Sequence, residues 1–378
     1  MPTPRALLRE LVALPSVNPA FLPKDDPRAG EQRVAHWLAS VAADAGLDVA
    51  LDEVFAQRPN LHARLTPTGR IKHRVILAPH LDTVGILGTP EKAFTPEIKR
   101  GRLHGRGACD TKGSVTAMLS AVMAMAGKRK RPAHTEILFL GLIDEEKAQE
   151  GSRHVARSKL KADLAIVGEP TRNRVVTAHK GGLWLVLKTV GKSAHGSTPK
   201  LGKNAVHEMA RIVDLLETEY ADDLSRRSHP LLGSATVNVG AILGGSQPNI
   251  VPASCSIQVD RRTLPGESLS TVKLELAARL RSKRLSASLG TLREGPCPAL
   301  ETDFKNPWVQ RMMQAAGQSD PQGVNYFCDA AVLAMGGIPS IVYGPGDIAQ
   351  AHTADEWIDL DSLDLAVRQL TRFLESLP

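Results

Sequence analysis

Aromatic residues are scarce in this chain, 4% of 378 residues, and they do not stud its basic stretches. Nothing here offers the base-stacking platforms of single-strand binders. No recognition helix or zinc finger stands in for them, so no nucleic-acid partner is expected. Cysteine is rarer still. Cys109, Cys255, Cys297 and Cys328 lie far apart without a C-x-x-C pair, which indicates neither a disulfide framework nor a cysteine zinc site. No run approaches eighteen apolar residues, and the N-terminus lacks a basic-then-apolar leader, so the expectation is a cytoplasmic protein with no membrane partner. Internal repeats and low-complexity segments are absent. The formal charge of +7 has no single focus. Its densest run, Lys128 to Arg131, stops at Pro132 and reads as a solvated loop between a helix and a strand.

What is present is a globular composition, 42% hydrophobic and 23% charged, in a chain long enough for two domains. Arg5–Leu14 and Glu31–Ala45 read as helices, the first stopped by Pro15 and the second by Gly46. Leu61–Thr66, Arg74–Ala78, Glu136–Ile143 and Ala162–Val167 read as strands, with Ser114–Ala126 as a small-residue helix packed on them. The pattern then changes near residue 180 to β-α-β-β-α. Leu183–Val190, Ala235–Ala241 and Cys255–Val259 are its strands, and Asn204–Tyr220 and Leu269–Arg281 its helices. That order is a small sheet covered by helices on one face. From Pro307 the α/β character returns, with a strand at Ile338–Tyr343 and a closing helix at Ser362–Leu377. The second domain is therefore inserted in the first.

The chemistry gathers where strands end. In V-I-L-A-P-H-L-D-T-V the strand stops just before His80 and Asp82, which point the same way in extended chain. That spacing suits a metal-bound imidazole beside an orienting carboxylate. Asp110 sits in the glycine-punctuated turn G-R-G-A-C-D-T-K-G. Two further strands end in Asp144-Glu145-Glu146 and in Gly168-Glu169-Pro170, and His352 lies in A-H-T-A-D-E-W. In open α/β sheets the carboxyl edge is where ligands bind. Alone, each residue has a plainer reading as turn chemistry or a helix cap. Together, His80, Asp110, Glu146, Glu169 and His352 form a nitrogen and oxygen set suited to zinc, cobalt or manganese. Five ligands exceed one open zinc site and suit a pair of metals bridged by Asp110. With Glu146 on a metal, Glu145 is left to face the cavity as a general base. In the inserted domain His195 is either a loop histidine or a functional one. Arg262 either pairs with Asp260 or binds a carboxylate, and Asn249 is either a turn residue or a substrate donor.

The motifs P-H-L-D-T-V, G-R-G-A-C-D-T-K-G, I-D-E-E, V-G-E-P-T and A-H-T-A-D-E, spread over nearly the whole chain, resemble one family. It is that of the cocatalytic zinc amidohydrolases and peptidases, which includes aminoacylase, acetylornithine deacetylase, succinyl-diaminopimelate desuccinylase and glutamate carboxypeptidase. The resemblance implies a zinc-peptidase-like α/β domain with a mixed central sheet flanked by helices, residues 1–178 and 293–378. It also implies a ferredoxin-like α+β insertion, residues 179–292, with a four-stranded sheet and two helices, serving as lid and homodimer interface. It places one zinc on His80, Asp110 and Glu169 and a second on Asp110, Glu146 and His352. Asp82 would support His80, and Glu145 would be the base. His195 would reach the partner's site as an oxyanion donor. Arg262 and Asn249 would hold the substrate carboxylate, with Cys328 and Gly346 beside the substrate. The chain departs from many relatives at Thr111 and Cys328. V-G-E-P-T-R-N-R-V-V-T-A-H-K-G and G-P-G-D-I-A-Q-A-H look most like acetylornithine deacetylases, so an N-acyl amino acid, N-acetyl-L-ornithine, is the expected substrate. A desuccinylase, a carboxypeptidase or dipeptidase, and an inactive binding protein are the rivals.

Overall fold

The computed structural model describes residues 2–86, 90–127, 131–293, 295 and 297–378, so Lys128 to Lys130 of the expected basic loop lie outside the described residues. The chain divides into two compact units. One comprises Met1–Thr177, Thr302–Gln322 and Cys328–Pro378, and the other Ala178–Glu301 and Gly323–Phe327.

In chain order the first unit contributes helices α1 (Pro4–Ala13) and α2 (Gln32–Asp44) and strands β1 (Asp48–Phe55), β2 (Arg58–Leu65), β3 (His73–Pro79) and β4 (Arg102–His104). Helix α3 (Lys112–Ala126), β5 (Thr135–Gly141), α4 (Glu150–Arg157) and β6 (Leu164–Gly168) follow. The second unit supplies β7 (Gly181–Val190), α5 (Ala205–Leu215), β8 (Thr236–Gly244), β9 (Ser254–Thr263), α6 (Leu269–Ser282) and β10 (Ser288–Thr291). The first unit resumes with α7 (Pro307–Ala316), α8 (Asp329–Met335), β11 (Ser340–Val342), β12 (Trp357–Asp359) and α9 (Leu360–Glu375).

The large sheet runs β1-β2-β5-β3-β6-β11 and continues past β11 into Val176–His179. The hairpin β1/β2 joins β5 antiparallel, whereas β5, β3, β6 and β11 are mutually parallel. Parallel strands buried on both faces need unbroken apolar runs, and Val75–Ala78, Ile137–Leu140 and Leu164–Val167 supply them, all buried. Because β5, β3 and β6 are adjacent and parallel, their carboxyl ends lie side by side at about 5 Å per strand. The segments holding Glu145/Glu146, His80 and Glu169 thus leave the sheet at one edge.

Helix α3 is buried all round except at Ala124. Its small residues let Val115, Met118, Leu119 and Val122 pack with Leu77 and Phe139 of the sheet and Leu363, Leu370 and Phe373 of α9 in one core. Helix α9 starts where the Asp359 side chain accepts the Asp361 and Ser362 amides at 2.9 and 3.1 Å, a standard way to satisfy free helix N–H groups.

The helices expected at Arg5–Leu14 and Glu31–Ala45 are present, but they are followed by an unforeseen strand, β1, which begins at Asp48. It is an edge strand whose pattern, Asp-Val-Ala-Leu-Asp-Glu-Val-Phe, leaves every residue at least partly exposed, so it carries no buried apolar signal. In the second unit the sheet order is β8-β9-β7-β10, antiparallel throughout. Strand β9 buries Cys255, Ile257, Val259, Arg261 and Thr263 on one face, against Met209, Ile212 and Leu215 of α5 and Val272, Leu276 and Leu280 of α6. Helix α5 runs on through a wider turn at Leu216–Tyr220 into Ala221–Ser225. The short edge strand β10 had no sequence signal of its own.

Arg261 is fully buried in that core, where its guanidinium meets Tyr220 Oη at 3.1 Å and Glu267 at 2.5 Å. Removing one partner of a buried ion pair strands the other. Arg261→Met is expected to destabilise the protein by about 3 kcal/mol, the low end for such a loss, because Arg227 still faces Glu267 at 3.0 Å. Urea unfolding of the two proteins measures it.

Candidate metal centre

Each of the five candidate ligands is delivered by an identifiable piece of backbone. His80 follows β3. Its ring Nδ1 donates to the Asp82 carbonyl oxygen at 3.0 Å, which fixes the tautomer and leaves Nε2 to face Asp110 Oδ1 at 3.1 Å and Glu169 Oε1 at 4.0 Å. Asp110 precedes α3 and is joined to Thr111 by a cis peptide. Its other oxygen lies 3.2 Å from His352 Nε2, which is 3.1 Å from Glu146 Oε2.

Two groups able to hold a metal ion emerge, His80–Asp110–Glu169 and Asp110–Glu146–His352, each with ligand atoms within 4.8 Å of one another. Asp110 belongs to both. The first group is buried, whereas His352 of the second is exposed.

The acidic loop after β5 is set by residues the sequence reading did not single out. Asp144 takes a left-handed φ of 65° and its carbonyl accepts the amides of Ala148 and Gln149 at 3.1 and 2.6 Å. The Asp144 carboxylate is held by Asn18 and Arg58, each at 2.9 Å, and Arg58 also grips buried Glu31. The Asp82 carboxylate accepts the amides of Glu145 and Glu146 at 3.1 and 3.2 Å and the Asn18 side chain at 2.8 Å. It stands 3.5 Å from His80 Nδ1. So Asp82 orients the Glu145–Glu146 backbone at least as directly as it supports the imidazole. Asn18 lies in a loop and Glu31 stands at the N-cap position of α2, neither within any motif, and only the fold brings them here.

The electrostatics test whether cations fit. Among the described residues no lysine or arginine pairs with Asp110, Glu145, Glu146 or Glu169, and their only positive neighbours are imidazoles. Glu169 Oε1 is buried with no hydrogen-bond partner. Burial, then the charge of Glu169, pushes the Glu145 carboxyl well above the ordinary range, with Asp329 and Glu146 adding to it. Glu169 is likewise raised by burial and by Asp110. Burial and Asp110 lift Glu146 to about 7. His352 is raised to about 10, chiefly by its hydrogen bonds to Asp110 and Glu146. Carboxylates crowded out of water without countercharge are costly, and an oxygen-and-imidazole set fits divalent cations of the zinc, cobalt and manganese kind.

Cys328, the N-cap residue of α8, is buried, and its thiol is raised by burial and by the nearby charges of Glu169 and Glu145. Its neighbour Asp329, also unforeseen, accepts from Ser152 Oγ at 2.6 Å while its second oxygen is buried without a partner. Gly346 has φ 84°, and a Cβ there would fall 2.6 Å from Cys109 Sγ. Both its backbone groups are occupied, the N–H by Ser362 Oγ at 3.2 Å and the carbonyl by the Arg172 amide at 2.8 Å.

His195, Asn249 and Arg262 belong to the second unit. His195 bridges Ile250, and the Gly196 amide donates to the Asn249 carbonyl at 2.7 Å. Only glycine permits that approach, since a Cβ on residue 196 would lie 2.9 Å from Asn249 Cα. The Ser197 amide donates to His195 Nδ1 at 3.2 Å, so the ring proton resides on Nε2, which is left as a donor. Arg262 pairs with Asp260 at 3.0 Å and lies over the Phe327 ring at 5.3 Å.

Residues 76–376 match the family model described as Peptidase family M20/M25/M40. The chain belongs to this family. It is 31% identical over 357 residues to acetylornithine deacetylase of Aliivibrio fischeri, covering 91% of each chain. It is also 31% identical over 369 residues to acetylornithine deacetylase of Vibrio vulnificus, covering 94% of this chain and 95% of that one. Aminopeptidase PepT of Bacillus cereus superposes with a TM-score of 0.78 at 21% identity, covering 99% of this chain and 98% of that one. An M20 family metallo-carboxypeptidase of Sulfolobus solfataricus gives a TM-score of 0.78 at 20% identity, covering 99% of each. This M20/M25/M40 chain is accordingly a metal-dependent hydrolase of the amidohydrolase and metallopeptidase kind, with the mixed α/β fold expected from its motifs.

The unmetallated M20 centre has a pH signature. Glu146 titrates near 7 when folded against an ordinary 4.5, so its folded state holds a proton the unfolded chain has already lost. Its contribution is complete below the unfolded value and is lost between about 4.5 and 7. His352, raised from 6.5 to about 10, loses its contribution across that higher window. Stripped of metal, the protein is expected to melt at progressively lower temperature from pH 5 to pH 9. Metal-loaded protein is expected to lose much of that dependence, as thermal melts of both forms across the range will show.

Proposed function

We propose that this protein is a dinuclear zinc amidohydrolase that cleaves N-acyl amino acids, with N-acetyl-L-ornithine hydrolysed to L-ornithine and acetate. The observation that carries the reading is the pair of three-residue ligand groups sharing Asp110. The named relatives, acetylornithine deacetylases at 31% identity, support the choice of substrate.

In this reading His80, Asp110 and Glu169 hold one zinc and Asp110, Glu146 and His352 the other, with cobalt or manganese able to substitute. Bound there, the two metals would supply Lewis acidity toward the acyl carbonyl and the attacking water. Glu145 takes a proton from that water as its oxygen attacks the acyl carbon, and returns it to the amine as the C–N bond breaks. Asp82 fixes the Glu145 amide, and so the direction in which that carboxylate is aimed. His195, contributed by the partner in a homodimer formed through the inserted lid, donates from Nε2 to the developing oxyanion. Arg262 and Asn249 hold the substrate carboxylate, and Cys328 and Gly346 shape the space beside the acyl group. In this reading the enzyme works in the cytoplasm.

Replacing Glu145 by Gln is expected to leave both metals bound and lower kcat by about 10²–10⁴, the scale of one positioned acid–base group. Metal analysis and turnover on the same sample test it, and retained turnover removes Glu145 from the mechanism. The substrate is read from a panel of N-acetyl-ornithine, N-succinyl-diaminopimelate, N-acetyl-citrulline, N-acetyl-methionine and a glutamyl dipeptide, with and without chelator. Chelator-sensitive preference for acetyl-ornithine is expected, and preference for another member keeps the chemistry while replacing the substrate.

His195→Ala is expected to cost about 10²–10³-fold, the scale of one oxyanion donor. Mixing it with Glu145→Gln and allowing subunits to exchange should restore about a quarter of wild-type activity, the statistical yield of intact sites. Mixtures as inactive as their parents would show that His195 does not act across subunits.

A further inference from the structure

The turn that presents Asp110 is built around an acid outside the ligand set. Glu356 is 3% exposed, and each of its carboxylate oxygens accepts two hydrogen bonds. Oε2 takes the Gly107 amide at 2.9 Å and Arg106 Nη1 at 2.6 Å. Oε1 takes the Cys109 amide at 2.9 Å and the Asp110 amide at 3.0 Å. The Ala108 amide turns instead to the Gly105 carbonyl at 3.1 Å, and the other three N–H groups of the turn converge on the carboxylate as a nest, an arrangement that binds anions. Here the anion comes from the chain itself.

The same contacts reach the other arm of the centre. Arg106 Nη2 donates to the Thr353 carbonyl at 3.1 Å, and the Gly105 amide donates to the Glu356 carbonyl at 3.0 Å. Strand β12, beginning at Trp357, pairs antiparallel with β4, which ends at His104. The segment 352–357 is thus stitched along the segment 104–110. His352 has a left-handed φ of 60°, a conformation a non-glycine residue keeps only where its surroundings fix it. Thr353 and Glu356, on its carboxyl side, are what is fixed.

We infer that Glu356 is a positioning residue for the metal centre: its carboxylate fills the 107–110 nest and holds Asp110 and His352, ligands from distant parts of the chain, in one register. The inference rests on the proposed ligand roles of Asp110 and His352. It differs from the support given by Asp82, because Glu356 faces the backbone of the shared ligand rather than that of the candidate base.

The test uses the full-length protein stripped of metal, with Glu356→Gln and Glu356→Ala alongside wild type. The amide in Glu356→Gln keeps the size of the side chain but turns an NH₂ toward N–H donors. In the metal-free state, hydrogen exchange at Gly107, Cys109 and Asp110 is expected to be at least about tenfold faster in Glu356→Gln, with the α3 amides unchanged. This readout does not depend on metal or turnover. In zinc titrations wild type is expected to take two equivalents, and both variants to bind about 10–100-fold more weakly, the scale for groups that orient metal ligands. Formate, small enough to enter the vacated nest, is expected to restore zinc affinity in Glu356→Ala and to leave wild type unaffected. Wild-type zinc affinity and amide exchange in a folded Glu356→Gln overturn the inference, as does a loss in Glu356→Ala that formate leaves untouched. If Glu356→Ala does not fold, Glu356→Gln decides alone. Wild type that binds no zinc overturns the reading of the site itself, a result distinguishable from the behaviour of the variants.

Discussion

Buried negative charge is the constraint on which this structure depends. Asp110, Glu145, Glu146 and Glu169 are drawn together with only imidazoles as positive neighbours among the described residues. The sheet imposes the crowding, because β5, β3 and β6 are adjacent and parallel and end at the same edge. The loops that follow cannot drift apart to relieve it, since acids outside the crowded set pin their backbones. Asp82 accepts the Glu145 and Glu146 amides, and Glu356 accepts those of the Asp110 turn. Repulsion among the side chains is thus resisted by attraction at the main chain.

How much of this was legible depends on where the physical signal resides. The buried parallel strands announce themselves because both faces are apolar, and the polar residues at which they stop are the candidate ligands. His80, Glu146 and Glu169 could be collected on that ground, whereas Asp110 came from its glycine-punctuated turn and His352 from its motif. Strand β1 was missed because an edge strand with every residue partly exposed has no buried face to mark it. Asn18 and Glu31 were missed for a different reason. Their roles consist of hydrogen bonds to Asp82 and Asp144 and to Arg58, and a contact across so many residues leaves no local pattern. Glu356 lay inside a recognised motif, yet three of its four partners are backbone amides, which no side-chain spacing reveals.

The adjacent arginines of D-R-R show how pleating assigns different work to neighbours. Arg261 falls on the face of β9 that carries Cys255, Ile257 and Val259, and is fully enclosed with Tyr220 and Glu267. Arg262 falls on the other face with Asp260 and remains partly exposed over Phe327. A shift of one residue in register would exchange their faces and turn Cys255, Ile257 and Val259 out of the core, with Ser256, Gln258 and Asp260 in their place. The second unit thus couples its own folding to the presentation of Arg262.

The distribution of the candidate ligands along the chain has a consequence for synthesis. Asp110 is made well before His352, with the whole of the second unit between them in sequence. A nascent chain that has emerged only through Glu169 already contains His80, Asp110 and Glu169, but it lacks β11 and β12, α9 and the residue that completes the second ligand group. The second group therefore forms only once His352 has been added, and a chain ended before Glu356 leaves the amides of Gly107, Cys109 and Asp110 without their carboxylate.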